Sequence, residues 1–337
     1  MKSFKLLALT ALMAATSLPS LAQAKTDLTV YTAFETDLLS KYKSAFEQDN
    51  PDIDIHWVRD STGVITSRLL AEGKNSPADV VWGLAASSLQ LLKDRGLMAT
   101  STPANADEIT DAYKDQSKNP AWYGNDGMFA AVCFNKALAK KNNIPEPHSW
   151  QDLTKPVYKG LISMPNPASS GTGYMQVSAW LQSMGEDKGW AYMDALDKNV
   201  LQYQHSGSKP CAQAATGEVV VGISLAVRGA ILKTQGAPLD VIVLDNAGWD
   251  LEAVGITSSS KHKAASERLL EWSLSKKANE MYNENYPIVG NKTVNTKGKA
   301  STNNYPDVSG KKLDNDFSVM ASERDGILKK WGSRYSQ

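Results

Sequence analysis

Hydrophobic and polar positions follow a strand–helix rhythm along the first third of the chain. An apolar strand at residues 28–32 precedes a helix at about residues 37–48, in which Leu38, Tyr42 and Phe46 recur at helical spacing. The rhythm continues with strands at residues 53–58 and 79–82, and with helices that begin near Val64 and Ser87 and end at Gly73 and Gly96. Such alternation predicts the α/β class, with a mostly parallel sheet covered by helices.

The second part of the chain renews this organisation after an uninterrupted apolar strand at residues 128–134. Further predicted elements are strands at residues 161–164, 219–225 and 241–244, helices around Val177 and Met193, and two long amphipathic helices at residues 264–284 and 314–331. Single hydrophobic cores stop growing near roughly 250–300 residues. A chain of 337 residues therefore suits two lobes.

The N-terminus has the pattern of a secretory leader. Lys2 and Lys5 give a positive start, residues 6–15 are apolar and uncharged, and residues 22–24 read Ala-Gln-Ala. These features in this order are typical of a signal peptide cleaved after about Ala24. The apolar run is too short for a membrane span, which needs about 20 residues. We therefore expect residues 1–24 to be a leader and the mature protein to be exported to the periplasm.

Charge and cysteine content narrow the functional class. The chain carries 36 basic and 36 acidic residues, and loss of the two leader lysines leaves a net formal charge of −2. A nearly neutral surface argues against nucleic acid or an anionic membrane as the partner. Cys133 and Cys211 are compatible with a disulfide bond or with two buried thiols. Without a CxxC motif or paired His-Cys spacing, we expect neither a metal nor a cofactor.

Three segments combine hydroxyl side chains with glycine at predicted helix starts. The N-terminus of a helix offers free backbone N–H groups and a positive dipole end, and glycine allows close approach of an anion. Helix capping is the alternative for each segment, since Ser and Thr are preferred caps. Their spread over both halves of the chain favours a shared site for a phosphate or phosphonate. The segments are Ser61-Thr62-Gly63, Ser169-Ser170-Gly171-Thr172-Gly173 and Ser206-Gly207-Ser208.

Longer runs of the sequence resemble one family of transport proteins. The chain is similar to the 2-aminoethylphosphonate-binding components of ABC importers, which are type II periplasmic binding proteins related to the ferric-iron binders. The resemblance covers nearly the whole mature chain. It is carried by RDSTG (59–63), ADVVWGLAASSL (78–89), SWQDLTKPVYKG (149–160), MPNPASSGTG (164–173), HSGSKPC (205–211) and GWDLEA (248–253).

The resemblance implies a two-lobed binding protein that captures its ligand by hinge closure, delivers it to a membrane permease and catalyses no reaction. Lobe one would comprise residues 25–130 and 255–337, and lobe two residues 131–254. Strands near residues 128–135 and 252–256 would cross between them. A monomer is expected, with the small-molecule ligand and the importer permease as its partners.

One segment departs from the iron-binding relatives. Those proteins carry adjacent tyrosines where this chain has Ala226-Val227. A ferric ion needs anionic oxygen ligands, which these two side chains do not supply. The sequence therefore argues against iron.

An aminophosphonate also requires a partner for its ammonium group, because a buried cation without a carboxylate or an aromatic face is costly. Glu35 and Asp250 are the candidate carboxylates, although Glu35 also fits a solvated position at a helix start. Trp82 also fits a place in the core, and Arg228 also fits the surface. Outside the three hydroxyl-rich segments, the candidate ligand contacts are therefore Thr32, Glu35, Trp82, Tyr174, Arg228 and Asp250.

Two other functions stay open from the sequence. The same fold could bind another small anion, such as a phosphate ester or a different phosphonate. A secreted phosphoesterase would instead need an activated nucleophile or a metal cluster. The sequence has no GxSxG motif, and its four histidines show no metal-ligand spacing.

Overall fold

A computed structural model describes residues 24–296, 304–311 and 314–335 of the chain. The predicted leader lies outside the described residues except for Ala24. Within the described part of the chain, no helix is both long enough and apolar enough to cross a membrane.

The first lobe begins with the predicted strand–helix repeat. The parallel strands β1 and β2 lie side by side, and β3 pairs with β1 on its other edge. Apolar side chains of these strands and helices are buried together, including Phe34, Tyr42 and Trp82. The elements are β1 (Thr26–Thr32), α1 (Thr36–Asp49), β2 (Ile53–Arg59), α2 (Thr62–Glu72), β3 (Val80–Ala85) and α3 (Ala86–Asp94).

Two strands, β4 (Tyr123–Asn135) and β9 (Trp249–Ile256), connect the lobes. The first half of β4 pairs with β9, and its second half, from Ala130 onward, pairs with the second-lobe strand β7 (Val221–Leu225). Every residue of β4 and β9 is buried. The predicted mostly parallel sheet is corrected here, because β9 runs antiparallel to both β3 and β4. Strands that carry the chain out of a lobe and back must run in opposite directions.

The second lobe repeats the layered arrangement around β4 and β7. Its other elements are α4 (Lys136–Asn142), β5 (Ile162–Pro165), α5 (Gly171–Met184), α6 (Glu186–Asp197), β6 (Val200–Gln204), α7 (Lys209–Thr216), α8 (Ala226–Thr234) and β8 (Leu239–Ile242). Strand β6 was not predicted. A disulfide bond joins Cys133 of β4 to Cys211 of α7, with Cα atoms 5.3 Å apart. The bond ties the start of α7 to a crossing strand, which settles the question left open by the sequence.

The C-terminal region differs from its prediction in one place. The predicted helix at residues 264–284 is two helices, α9 (Lys263–Leu274) and α10 (Lys276–Tyr282). Ser275 separates them, because it leaves the helical conformation and its hydroxyl caps α10 by accepting a hydrogen bond from the Ala278 N–H at 3.2 Å. Ser and related residues favour such helix starts over helix interiors.

The last helix, α11 (Phe317–Tyr335), contacts both lobes. Asp325 pairs with Arg95 of α3 at 3.0 Å, and Arg334 pairs with Asp194 of α6 at 2.8 Å. The lobe boundaries inferred from the family resemblance remain a prediction, but these contacts tie the end of the chain to the second lobe as well as the first.

Candidate functional site

The three hydroxyl-rich segments meet at one cavity of about 30 Å³ between the lobes. Two come from the second lobe and one from the first. The starts of α2, α5 and α7 supply this part of the cavity wall, because each of these helices begins just after a strand or loop that reaches the cleft. The lining residues from these segments are Ser61, Thr62, Ser170, Gly171, Thr172, Ser206, Gly207 and Ser208, which we call the hydroxyl cradle.

The cradle serines differ in whether they also cap a helix. Ser61 is the N-cap residue of α2, yet its side chain makes no capping hydrogen bond. Ser170 is the N-cap of α5, and its hydroxyl accepts a hydrogen bond from the Gly173 N–H at 3.3 Å. Helix capping therefore explains the hydroxyl of Ser170 but does not explain that of Ser61.

The third segment is held against the second by close packing. A Cβ atom added to Gly207 would lie 2.2 Å from Thr172 Oγ1, so only glycine fits here without displacement. The hydroxyl of Ser224 in β7 donates to the Gly207 carbonyl oxygen at 2.5 Å. Contacts within the second lobe thus hold that lobe's part of the cradle in place.

Direct contacts close the lobes around the cavity. The Gly63 N–H donates to the Ser169 carbonyl oxygen at 2.9 Å, and the hydroxyl of Ser208 donates to Glu35. His205 Nε2 lies 2.8 Å from Asp60 Oδ1. Burial is the largest single influence on Asp60 and raises its pKa, but the hydrogen bonds from His205 and the Ser61 N–H, together with the charges of His205 and Arg59, outweigh it and keep the pKa of Asp60 below its ordinary value. The structure is a closed conformation.

The opposite wall contains residues that sequence reasoning missed. Arg59 ends β2 at the rim of the cavity, and Glu252 projects from β9. The Arg59 Nε–H donates to the Phe34 carbonyl oxygen at 3.1 Å, which orients the guanidinium. Arg59 belongs to the run RDSTG and Glu252 to the run GWDLEA. A charged side chain at the end of a predicted strand, or on a predicted crossing strand, could have identified them. Ala33, Met128 and Leu225 complete the lining.

Glu252 is nearly inaccessible to solvent, at 7 % exposure. Burial raises its pKa to about 7. Asp126 lies directly opposite Glu252 in the β4–β9 ladder and is fully buried. Burial and the neighbouring Glu252 raise the pKa of Asp126 well above its ordinary range, because two adjacent carboxylates resist joint ionisation.

Two of the predicted ligand contacts, Asp250 and Trp82, lie away from the cavity, which corrects their assignment to a site shared with the cradle. Asp250 accepts hydrogen bonds from the Ser87 hydroxyl at 2.6 Å and from the Leu251 N–H at 2.7 Å, beside the start of α3. Trp82 is a core residue whose Nε1–H donates to the Tyr282 hydroxyl at 3.1 Å. Both side chains are committed to internal partners.

The other predicted residues occupy supporting positions. Thr32 is buried and its hydroxyl accepts from the Phe34 N–H at 3.1 Å. Arg228 lies 3.7 Å from Asp37 of the first lobe, and Ser169 and Gly63 form the backbone contact between lobes rather than the cavity wall. Tyr174 donates to the Met320 carbonyl oxygen. Glu35 does line the cavity, as predicted.

The cavity wall offers a ferric ion no phenolate or imidazole ligand among the described residues. No tyrosine or histidine is among its described lining residues. Elsewhere in the described ranges, Asp27, Asp54 and His56 form one exposed group with ligand atoms within 4.8 Å of one another. Lys43 already pairs with Asp54 at 2.6 Å. The cavity instead combines hydroxyls and amides, which suit an anion, with the carboxyl groups of Glu35 and Glu252.

Comparison with known proteins places the chain in a family. Residues 75–308 match the bacterial extracellular solute-binding protein family. The structure is similar to AfuA of Actinobacillus pleuropneumoniae, solved with fructose-6-phosphate bound, at 28 % identity and a TM-score of 0.86 over 93 % of this chain and 99 % of that one.

Other similar proteins carry different ligands. A thiamine-binding periplasmic protein of Salmonella typhimurium is 30 % identical over 53 % of this chain and 54 % of its own length. Iron-bound HitA of Pseudomonas aeruginosa shares the fold at a TM-score of 0.76 and 19 % identity, covering 91 % of this chain and 99 % of HitA. The chain belongs to the bacterial extracellular solute-binding protein family and has the two-lobed type II fold of the periplasmic binding proteins that serve ABC importers.

Proposed function

We propose that this protein is the 2-aminoethylphosphonate-binding component of an ABC importer. The observation that carries the proposal is a single interlobe cavity lined both by the hydroxyl cradle and by the carboxyl groups of Glu35 and Glu252. A small ligand with an anionic and a cationic end matches this combination.

The cradle suits a phosphonate dianion. Its three acceptor oxygens need donors from several directions, and the starts of α2, α5 and the segment before α7 supply hydroxyl and N–H groups from both lobes. Arg59 adds a positive charge at the rim. Hydrogen bonds to a charged acceptor are each worth about 1.5–3 kcal/mol.

The carboxyl side suits an ammonium group. A buried cation requires a carboxylate or an aromatic face, and an anion without a positive tail would meet repulsion from Glu35.

Binding would proceed by hinge closure. An open form admits the ligand, and contacts made by both lobes at once stabilise the closed form that the permease recognises. A proton-transfer or nucleophilic step is not part of the proposal, since no described lining residue pairs a nucleophile with a histidine base.

Titration calorimetry tests the ligand. We expect tight binding of 2-aminoethylphosphonate, with weaker binding of ethylphosphonate, which lacks the amine, and of inorganic phosphate. Stronger binding of ferric ion or thiamine than of the aminophosphonate would overturn the proposal. Recovery of unchanged ligand after prolonged incubation would agree with a binding protein, and turnover would contradict it.

A phosphate ester is the second candidate. The similarity to AfuA with fructose-6-phosphate bound favours it, because the cradle would hold a phosphate monoester equally well. In that case Glu35 and Glu252 would accept hydrogen bonds from sugar hydroxyls. Including fructose-6-phosphate in the same titration separates the two candidates.

A further inference from the structure

A buried acidic pair lies directly behind the cavity wall. Asp126 of β4 and Glu252 of β9 are cross-strand partners, and a bulge between Gly124 and Asp126 shifts the register beside them. Directly opposed residues in an antiparallel pair have Cβ atoms about 4.5–5.5 Å apart, so the two carboxyls face each other. Glu252 belongs both to this pair and to the cavity lining.

Three of the four oxygens of this pair have no hydrogen-bond partner among the described residues. Both Asp126 oxygens and Glu252 Oε2 are buried and make no hydrogen bond with any residue in the described ranges. Buried polar groups are nearly always hydrogen-bonded, and leaving one unsatisfied is costly. The unsatisfied acceptors therefore favour a further donor beside Glu252, whose carboxylate is otherwise stabilised by the Tyr286 hydroxyl.

Four buried tyrosines feel the charge of the pair: Tyr42, Tyr282, Tyr286 and Tyr305. Burial foremost, and then the negative potential of Asp126 and Glu252, raises the pKa of each phenol. The hydroxyls of Tyr42 and Tyr305 are also buried without a partner among the described residues. Tyr42 and Tyr282 stack edge to face at 5.3 Å. Carboxyls enclosed by aromatic rings are the chemistry that recognises organic ammonium ions.

The balance of charge around the pair also favours a cation. Glu35 adds negative potential to Glu252 from the cavity, and Arg59 is the positively charged group that opposes it. Two adjacent buried carboxyls retain a proton at neutral pH because both cannot ionise together. An arriving ammonium group would replace that proton, which would leave through the cavity to water.

We propose that Asp126 and Glu252, within their shell of tyrosines, form a proton-exchanging receptor for an alkylammonium group. The subsite deepens the proposed function and rests on it: the phosphonate would occupy the cradle while the amine reaches the crossing strands. Glu252 contacts the amine, and Asp126 is a positioning residue that supplies the second negative charge.

Calorimetry on wild type and Asp126→Asn, with 2-aminoethylphosphonate and ethylphosphonate as probes, tests the receptor. Loss of one member of a buried charged pair should weaken the aminophosphonate about 10- to 100-fold while changing ethylphosphonate less than about threefold. Repeating the wild-type titration in buffers of different ionisation enthalpy should show release of up to about one proton with the aminophosphonate, and Asp126→Asn should reduce it.

Asp250→Asn is the matched control, since Asp250 is an equally buried acid on β9 that lies outside the cavity and has its own donors. It should preserve the preference for the amine. If Asp126→Asn does not fold, Glu252→Gln provides the same selectivity measurement. An equal loss for both probes, or no proton release by wild type, would mean that the pair has only a structural role. Failure of wild type to bind 2-aminoethylphosphonate would instead reject the proposed function itself.

Discussion

The two sides of the cavity are built in different ways. The hydroxyl cradle is assembled from separate helix starts on both lobes, and it is complete only when Gly63 and Ser169 are in contact. The acidic pair Asp126 and Glu252 lies on β4 and β9, which run continuously between the lobes and are buried along their length. An anion therefore gains contacts on closure, whereas a cation meets, at Glu252, a carboxyl group that is already in place. In this account the phosphonate drives closure and the ammonium group determines selectivity.

The largest expected effect comes from blocking closure of the cradle. A Cβ atom at Gly63 would lie 2.3 Å from the Ala168 carbonyl oxygen, a backbone atom that cannot move aside alone. Gly63→Ala should abolish the ligand-induced rise in Tm for every ligand. The Tm without ligand should stay the same or increase, because alanine in a helix is favoured over glycine by about 1 kcal/mol. Gly326→Ala in α11, where a Cβ meets open space, should leave ligand binding unchanged.

Changing the acidic side should alter selectivity instead. Glu252→Gln should weaken 2-aminoethylphosphonate by about 10- to 100-fold, because the amine loses a buried charged partner. Ethylphosphonate should bind nearly as before. If calorimetry shows equal weakening of 2-aminoethylphosphonate and ethylphosphonate, Glu252 does not select for the amine and the proposed difference between the cradle and the acidic side is wrong.

A smaller and uniform loss should follow from Ser61→Ala. Removing one hydrogen bond to a charged group should weaken both phosphonates by about tenfold or somewhat more. Ser61 makes no capping hydrogen bond, so the free energy of unfolding without ligand should change by less than about 0.5 kcal/mol. Ser170→Ala should lower both affinity and stability, since its hydroxyl caps α5 at a typical cost of about 1 kcal/mol. Urea unfolding and calorimetry measure the two effects separately.

The smallest effect on binding is expected at Asp250. Burial raises the pKa of the Asp250 carboxyl to about 7, so the fold stabilises its protonated form. The stability that this carboxyl contributes is present below the ordinary pKa of aspartate and is lost as the pH rises through about 7. Asp250→Asn should therefore gain stability relative to wild type by roughly 2–4 kcal/mol between pH 4 and pH 8. Urea unfolding at both pH values tests this, and a constant difference would show that Asp250 is ionised in the folded protein.

The sequence predicted the fold class, most helices and strands, and the three cradle segments, because each depends on local patterns. Hydroxyls next to glycine at a helix start are visible in a short window. Glu35 was also identified from its place just after a strand. The single predicted helix at residues 264–284 failed because a serine cap at Ser275 does not interrupt hydrophobic periodicity.

The acidic side could not be predicted in the same way. Asp126 and Glu252 become neighbours only through the register of antiparallel strands far apart in sequence. Asp250 was named as a candidate and Glu252 was not, because only tertiary contacts direct Asp250 to Ser87 and Glu252 to the cavity. Arg59 was similarly indistinguishable from a surface arginine until Phe34 was seen to orient it.

A crystal structure of the complex with 2-aminoethylphosphonate tests the central claim most directly. The account predicts phosphonate oxygens within about 2.5–3.2 Å of hydroxyl or amide donors from Ser61 or Thr62 in one lobe and Ser170 or Ser206 in the other. It also predicts the nitrogen beside Glu252. A phosphonate held by one lobe alone, or one that lies outside this cavity, would contradict the account.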